Sequence, residues 1–198
     1  MIGFAAATVL TTLAGRIPVR QAHGLATLCA IGIASHPSFS PFLSSLESFK
    51  TMSTMETRFD RNGVCLQNTG YDCGPAAAVT GLRYLGIKAQ ERDIAVQART
   101  CTAVRTSPSI LAKALERQYK ALGLRATYRD FHAVAELRLA CPTVALMKFT
   151  PSVDHYVTVL EVGNTDVTVG DPLTGKRHLS LNEFDNQWRG SGIVIGLK

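Results

Sequence analysis

The stretch QNTGYDCGPAA, residues 67–77, joins a polar loop to the start of an apolar segment. Alanine, valine and leucine dominate residues 74–85, which predicts a helix with Asp72 as an acidic cap near its start and Gly86 as its stop. Cys73 then lies in the first helical turn, where unpaired N–H groups and the helix dipole favour a thiolate. A cysteine that only happens to fall at a helix start is the alternative.

Two blocks of secondary structure follow this helix. Residues 90–99 and 108–122 predict further helices, the second with Ser107 as N-cap and Gly123 as stop, and residues 130–139 predict a weaker one. Beyond Pro142 the pattern changes to strands rich in valine, leucine and threonine, at 143–149, 156–162, 166–169, 177–179 and 192–197, with a short helix at 182–188. Helices followed by an antiparallel sheet predict an α+β domain.

A base for Cys73 can come from the predicted sheet. A cysteine nucleophile needs a base, and the base needs a group that orients it. His155 precedes the strand at 156–162, and Asp171 follows the next strand. The turn signal Gly163-Asn164 predicts that these strands form a hairpin, which makes the two side chains neighbours. A surface histidine and a turn-forming aspartate before Pro172 are the alternatives.

Acyl transfer also requires hydrogen-bond donors for the developing oxyanion. The backbone N–H of Cys73 is one candidate. Gln67, six residues upstream, is a candidate for the second through its side-chain amide. An ordinary polar loop residue is the alternative for Gln67.

The other cysteines do not form a metal-binding pattern. No CxxC pair is present and the histidines lack the spacing of zinc ligands, so we expect no structural metal. Cys65, Cys101 and Cys141 are expected to be small buried residues. In an oxidising compartment two of them could pair, and their spacing leaves this open.

Charge is distributed unevenly along the 198 residues, whose net charge is +6. The first 46 residues contain Arg16, Arg20 and no acid. The remainder has no run of basic residues, so we expect no nucleic-acid partner. A hydrophobic content of 46% with 18% charged residues excludes an intrinsically disordered chain.

The N-terminal piece predicts membrane association. Its apolar stretches, 2–15 and 24–34, flank the two arginines, although a spanning helix needs about 20 apolar residues. A membrane hairpin, a single anchor or uncleaved signal, and a disordered extension are the three interpretations. We therefore divide the chain into an apolar segment (1–46), a linker (47–57) and a folded domain (58–198), with the protein at the bacterial cell membrane.

The combination of these motifs resembles a known family. Gln67 and Cys73 in their spacing, His155-Tyr156-Val157 and Asp171-Pro172 are similar to the bacteriocin-processing double-glycine cysteine peptidases. The resemblance spans about residues 59–197 and implies a papain-like fold, with the cysteine on a helical half and the histidine on a sheet half. It implies Cys73 as nucleophile, His155 as general base, Asp171 as its orienting residue and Gln67 in the oxyanion hole. It also implies cleavage of leader peptides after Gly-Gly without a metal or organic cofactor.

The best-known members of that family are fused to a transporter with an ATPase domain. The present sequence contains no GxxxxGK(S/T) phosphate loop, since Arg177 stands in the Ser/Thr place of the nearest match. We therefore expect a stand-alone or membrane-tethered peptidase, with a separate transporter as a candidate partner. A peptide or protein substrate is expected.

Three functions fit this pattern. The first is a cysteine endopeptidase that forms a thioester on Cys73. A peptide-binding module of the same fold without turnover is the second, and the presence of all four motif residues argues against it. The third passes the acyl group to an amine or thiol, and the sequence does not separate this transfer from hydrolysis.

Overall fold

The computed structural model describes residues 49–151 and 153–198. Between residues 58 and 198 the α-helices are α1 (Cys73–Tyr84), α2 (Glu91–Gln97), α3 (Pro108–Gln118) and α4 (Leu181–Gln187). The strands are β1 (Arg58–Phe59), β2 (Cys65–Leu66), β3 (Leu124–Asp130), β4 (Thr143–Thr150), β5 (Val153–Val162), β6 (Asp166–Asp171), β7 (Gly175–Ser180) and β8 (Trp188–Leu197). Short 3₁₀ turns lie at Lys120–Leu122 and Val134–Leu139.

A six-stranded sheet carries the C-terminal half, in the order β3-β8-β4-β5-β6-β7. All neighbouring pairs are antiparallel, so β4 to β7 form a meander and β8 returns to pair between β3 and β4. A helical half carrying Cys73 and an antiparallel sheet carrying His155 confirm the predicted α+β, papain-like architecture.

Helix α1 packs closely on the sheet. Its residues Cys73 to Leu82 are all buried. Gly81 faces Ile195 of β8, where an added Cβ would lie 2.5 Å from the Ile195 Cδ1 atom, so a larger residue here would require the end of the Ile195 side chain to move. The hydroxyl of Thr158 in β5 donates to the carbonyl of Ala77 over 2.6 Å. These contacts hold α1, which begins at Cys73, against β5 and β8.

Alternate residues of the strands contribute to two apolar clusters, as expected for a sheet covered on both faces. Val144 and Leu146 of β4 join the cluster that contains α1 and α3. Ala145 and Met147 join the other cluster, which contains Phe184 of α4. Trp188 lies 5.5 Å from both Phe131 and Phe184 between ring centroids, so an aromatic group anchors α4 to the sheet.

Some local predictions are wrong. The weak helix predicted at 130–139 is the end of strand β3 followed by a 3₁₀ turn at Val134–Leu139. Strand β3 was not predicted, because it is an edge strand whose residues from Thr127 onward are exposed and include charged side chains. Asp72 occupies the N-cap of α1, but its side chain makes no cap hydrogen bond. The stop at Gly86 is confirmed by a positive φ of 76°.

The predicted membrane association is wrong for the part of the chain that the structure describes. Among residues 49–151 and 153–198, no helix is both long and apolar enough to cross a bilayer. The two apolar stretches behind this prediction lie in segment 1–46, outside the described residues. Of the predicted linker, residues 49–54 are helical, and Met52 and Met55 are buried against Ala95.

Candidate active site

Cys73 begins helix α1 and is 1% exposed. At this position the thiol lies beside the free N–H groups and the positive end of the helix dipole. Two hydrogen-bond partners of its sulfur come from β5, namely the side chain of His155 and the backbone N–H of Tyr156. The cysteine of the helical half and the histidine of the sheet half thus meet at the junction of the two halves.

His155 and Asp171 are joined by a hydrogen bond. The distance between Nε2 of His155 and Oδ1 of Asp171 is 2.8 Å, and both side chains are buried. Thr158 of β5 pairs with Gly170 of β6, so the hairpin predicted from its turn signal places both residues at the same end of the strand pair. Since Nε2 faces the carboxylate, Nδ1 is the nitrogen left for the thiol of Cys73.

The electrostatics of this cluster favour a thiolate and an imidazolium. Burial by itself would raise the pKa of the Cys73 thiol, but hydrogen bonds from His155 and Tyr156 outweigh it, and the pKa is lowered. Burial would lower the pKa of His155, yet hydrogen bonds with Asp171 and Cys73 raise it to about 9. The pKa of Asp171 falls to about 2, because its bonds to His155, Leu173 and Thr174 exceed the cost of burial. Both shifts favour a proton on the imidazole rather than on the sulfur.

Asp171 is itself held in place by the turn between β6 and β7. Its Oδ1 accepts from the backbone N–H of Leu173 over 2.9 Å, and its Oδ2 accepts from the hydroxyl of Thr174 over 2.8 Å. The guanidinium of Arg177 lies 3.6 Å from Oδ2. A carboxylate with this many donors is fixed in direction, as a group that orients an imidazole must be.

Gln67 lies in the loop before α1. Its backbone N–H donates to the carbonyl of Pro172, the residue after Asp171, over 3.0 Å, so the loop is tied to the sheet half. Its side-chain amide donates to the carbonyl of Thr69 in the same loop, and its Oε1 atom is buried without a partner among the described residues. The structure therefore brings Cys73, His155 and Asp171 together, while one N–H group of Gln67 is engaged inside its own loop.

The thiols of the other described cysteines differ from Cys73. Cys65, Cys101 and Cys141 are free, and burial raises the pKa of Cys65 and raises that of Cys141 to about 11. In the described ranges, no three His, Cys, Asp or Glu side chains are grouped as metal ligands would be. Cys29 lies outside these ranges. A reactive thiol is thus favoured at Cys73 alone among the three cysteines whose pKa is shifted.

Comparison with known protein families identifies the domain. The model of the peptidase C39 family matches residues 61–197. The chain belongs to the peptidase C39 family. An uncharacterised protein of Methanothermobacter marburgensis is 29% identical over 129 residues, which are 65% of this chain and 84% of that protein. A probable functional amyloid protease, FapD of Pseudomonas aeruginosa, is 27% identical over 135 residues, which are 66% of this chain and 58% of FapD.

Solved structures with the same fold include two peptidases. A double glycine motif protease from an AMS/PCAT transporter, in complex with a leader peptide, has a TM-score of 0.59 and 18% identity, covering 74% of this chain and 96% of that one. The peptidase domain of Streptococcus ComA has a TM-score of 0.57 and 19% identity, covering 67% and 96%. At these identities the likeness concerns the fold, and the family itself supports a cysteine peptidase.

Sequence reasoning missed a buried carboxyl pair beside the nucleophile. Asp72 turns back from α1 and accepts hydrogen bonds from the backbone N–H groups of Asn68 and Thr69. Glu91, at the start of α2, is fully buried and is hydrogen-bonded to Asp72. Its Oε2 atom accepts a hydrogen bond of 2.8 Å from the side-chain amide of Asn68. Oε1 of Glu91 is buried and has no hydrogen-bond partner among the described residues. Spacing gives no signal for this pair, because the two residues meet only through the packing of α1 and α2.

The protonation of Glu91 predicts a pH-dependent stability. Burial, together with the charge of Asp72, raises the pKa of Glu91 from 4.5 to about 8. Between these two pH values the folded protein binds more protons than the unfolded chain, so the free energy of unfolding falls as the pH rises. One such proton changes that energy by at most ~1.4 kcal/mol per pH unit. Asp72, whose pKa is also raised by burial, acts in the same direction at lower pH.

Glu91→Gln is expected to flatten this dependence. Glutamine can donate to Asp72 and accept from Asn68, but it does not titrate. Urea unfolding at pH 5, 6, 7 and 8 measures the slope for the wild type, for Glu91→Gln and for the exposed control Glu56→Gln. Equal slopes in the wild type and Glu91→Gln would contradict the raised pKa of Glu91, and a flattened slope in the control would make the effect non-specific.

Proposed function

We propose that the protein is a cysteine endopeptidase in which Cys73, His155 and Asp171 act as a catalytic triad. The observation that carries this proposal is the chain of contacts from the sulfur of Cys73, through the imidazole of His155, to Oδ1 of Asp171 at 2.8 Å. A thiolate at a helix start, a base beside it and an orienting carboxylate are the parts that nucleophilic acyl transfer requires.

The reaction proceeds in two steps. The thiolate of Cys73 attacks the carbonyl carbon of the scissile bond, and the negative charge moves to the carbonyl oxygen, which the N–H of Cys73 and the amide of Gln67 stabilise. When this tetrahedral intermediate collapses, the carbon–nitrogen bond breaks, the imidazolium of His155 protonates the leaving amine, and a thioester remains. His155 then accepts a proton from water, the resulting hydroxide attacks the thioester, and the acid leaves as Cys73 returns to the thiolate.

The substrate class is proposed to be peptides cut after a Gly-Gly pair. The solved structure of a double glycine motif protease in complex with a leader peptide has the same fold and supports this substrate class. Beside the base, the ring of Phe149 lies 5.8 Å from the His155 ring between centroids and is 62% exposed. It offers an apolar surface to a bound peptide next to the reacting groups.

Cleavage of paired synthetic peptides tests the proposal. One peptide contains Gly-Gly after an apolar leader-like segment, and its partner has Ala-Ala in the same place. Mass spectrometry of digests with the full-length chain is expected to show one cut, after the second glycine, and at least a tenfold slower cut of the Ala-Ala peptide, since each added methyl is worth about 1–3 kcal/mol in a fitted site. Equal cleavage of both peptides would overturn the proposed Gly-Gly specificity but would still support the proposed endopeptidase activity.

Two other results would favour the alternative functions. Binding of the peptide without any product would favour a peptide-binding module. A product that contains an added amine nucleophile in place of the hydroxyl of water, formed faster than the free acid, would favour acyl transfer.

A further inference from the structure

The loop between α2 and α3 has an unusual backbone. Arg99 and Arg105 both have positive φ angles, 54° and 57°, a region that non-glycine residues seldom occupy. Between them, Cys101 and Arg105 exchange two backbone hydrogen bonds of 3.2 and 2.8 Å, which close the loop upon itself. Such strain persists only where surrounding contacts impose it, and it occurs often at active sites.

Thr106, the next residue, connects this loop to both halves of the site. Its carbonyl accepts a 2.7 Å hydrogen bond from the buried hydroxyl of Tyr156, which follows His155. Its side chain lies against Gly74, which follows Cys73: an added Cβ at Gly74 would approach Thr106 to 3.0 Å. The hydroxyl of Thr106 also bonds that of Thr100 over 2.9 Å. Arg105 is therefore held in register with the nucleophile and the base.

The side chain of Arg105 reaches the reacting atom. Its Nη2 lies 4.0 Å from the sulfur of Cys73, and the contact is partly buried. The other ionisable groups at this sulfur are His155 and Tyr156. His155 is hydrogen-bonded to the sulfur, and burial together with the charge of Cys73 raises the pKa of the Tyr156 phenol. A guanidinium stays charged at every pH at which a protein is folded, whereas the imidazole of His155 does not.

We propose that Arg105 is a catalytic residue that stabilises the thiolate of Cys73. This rests on the proposed cysteine-peptidase function. The fixed charge of Arg105 supports the thiolate independently of the proton on His155, both before attack and when the thioester is hydrolysed and the thiolate leaves. An opposite charge at about 4–6 Å lowers the pKa of an acid by about 1–3 units, and the half-exposed position of Arg105 favours the lower end of that range.

The rate of Cys73 alkylation as a function of pH tests this proposal. The full-length wild type and its variants are treated with iodoacetamide from pH 5 to 10, and mass spectrometry follows the peptide that contains Cys73. For Arg105→Gln we expect the profile to move upward by about one pH unit, which is about a tenfold slower reaction below the pKa. Arg105→Lys, which keeps the charge, is expected to lie between this variant and the wild type. Arg99→Gln, the exposed partner with the same backbone strain, is expected to follow the wild type.

The outcomes separate the two proposals. A wild-type profile with an ordinary thiol pKa would contradict the proposed function itself. A low wild-type pKa with an unchanged profile in Arg105→Gln would overturn the role of Arg105. A structural role alone would lower the thermal midpoint and move the Arg105→Lys and Arg105→Gln profiles equally. In the His155→Gln background, Arg105→Gln is expected to raise the thiol pKa again, and no further rise would also overturn the proposal.

Discussion

Replacing Cys73 with alanine is expected to lower kcat/KM for peptide cleavage by ~10⁴-fold or more, because no other group can form the thioester. In the proposed mechanism the sulfur of Cys73 is the only atom of the site that forms a covalent bond to the substrate. Purified Cys73→Ala and wild-type protein, compared on the Gly-Gly peptide by product formation, provide the measurement. Undiminished cleavage by Cys73→Ala would contradict the mechanism.

The same variant should keep its fold. The side chain is small and lies at a helix start, so its loss is expected to change the free energy of unfolding by about 1 kcal/mol or less in either direction. Cys65→Ala is the matched control, because Cys65 is as buried as Cys73 and its raised pKa makes its thiol unreactive. Equal loss of activity in Cys65→Ala would point to a packing defect rather than to chemistry.

The elements that carry the site could be predicted from local signals. Helix α1 has a long apolar run and a glycine stop, and its observed range, Cys73–Tyr84, differs from the prediction by one residue at each end. The hairpin of β5 and β6 follows from its turn and from alternating valine and threonine. Since His155 and Asp171 lie on the two strands of one hairpin, their proximity needs only local pairing.

Other features depend on tertiary packing and have no local signal. Strand β3 pairs only with β8, more than 60 residues away in sequence, and its exposed face carries no apolar alternation. The two-residue strands β1 and β2 are too short for any periodicity. Pairing energy supplied by the rest of the sheet, rather than intrinsic propensity, makes these residues extended.

The same distinction applies within the site. Arg105 approaches Cys73 from 32 residues away along the chain, at the end of an irregular loop with positive φ angles. Glu91 meets Asp72 through the packing of two helices. Neither residue belongs to a recognisable motif, so only the three-dimensional arrangement reveals that Arg105 approaches the sulfur of Cys73 and that Glu91 lies beside Asp72.

His155→Gln is expected to reduce kcat/KM by ~10⁴-fold, almost as much as loss of the nucleophile, because triad members act as a unit. Glutamine can still donate to Asp171, so the local packing is preserved while the base and the proton donor are lost. The wild type is expected to lose activity above about pH 9, as His155 loses the proton that the leaving amine needs. Stopped assays of Gly-Gly peptide cleavage from pH 5 to 10 measure both effects.

The alkylation of Cys73 distinguishes loss of the base from loss of the fold. Without the imidazolium, burial becomes the main influence on the thiol, and its pKa is expected to rise toward or above the ordinary value of 9.0. Modification by iodoacetamide at pH 7 should then slow markedly. The control is His178→Gln on β7, because the His178 side chain is 63% exposed and is hydrogen-bonded to Thr168. In this variant the rates of peptide cleavage and of Cys73 alkylation should match those of the wild type. Rapid alkylation at pH 7 in His155→Gln would show that the thiolate does not depend on the imidazole, and it would remove the electrostatic basis of the proposed triad.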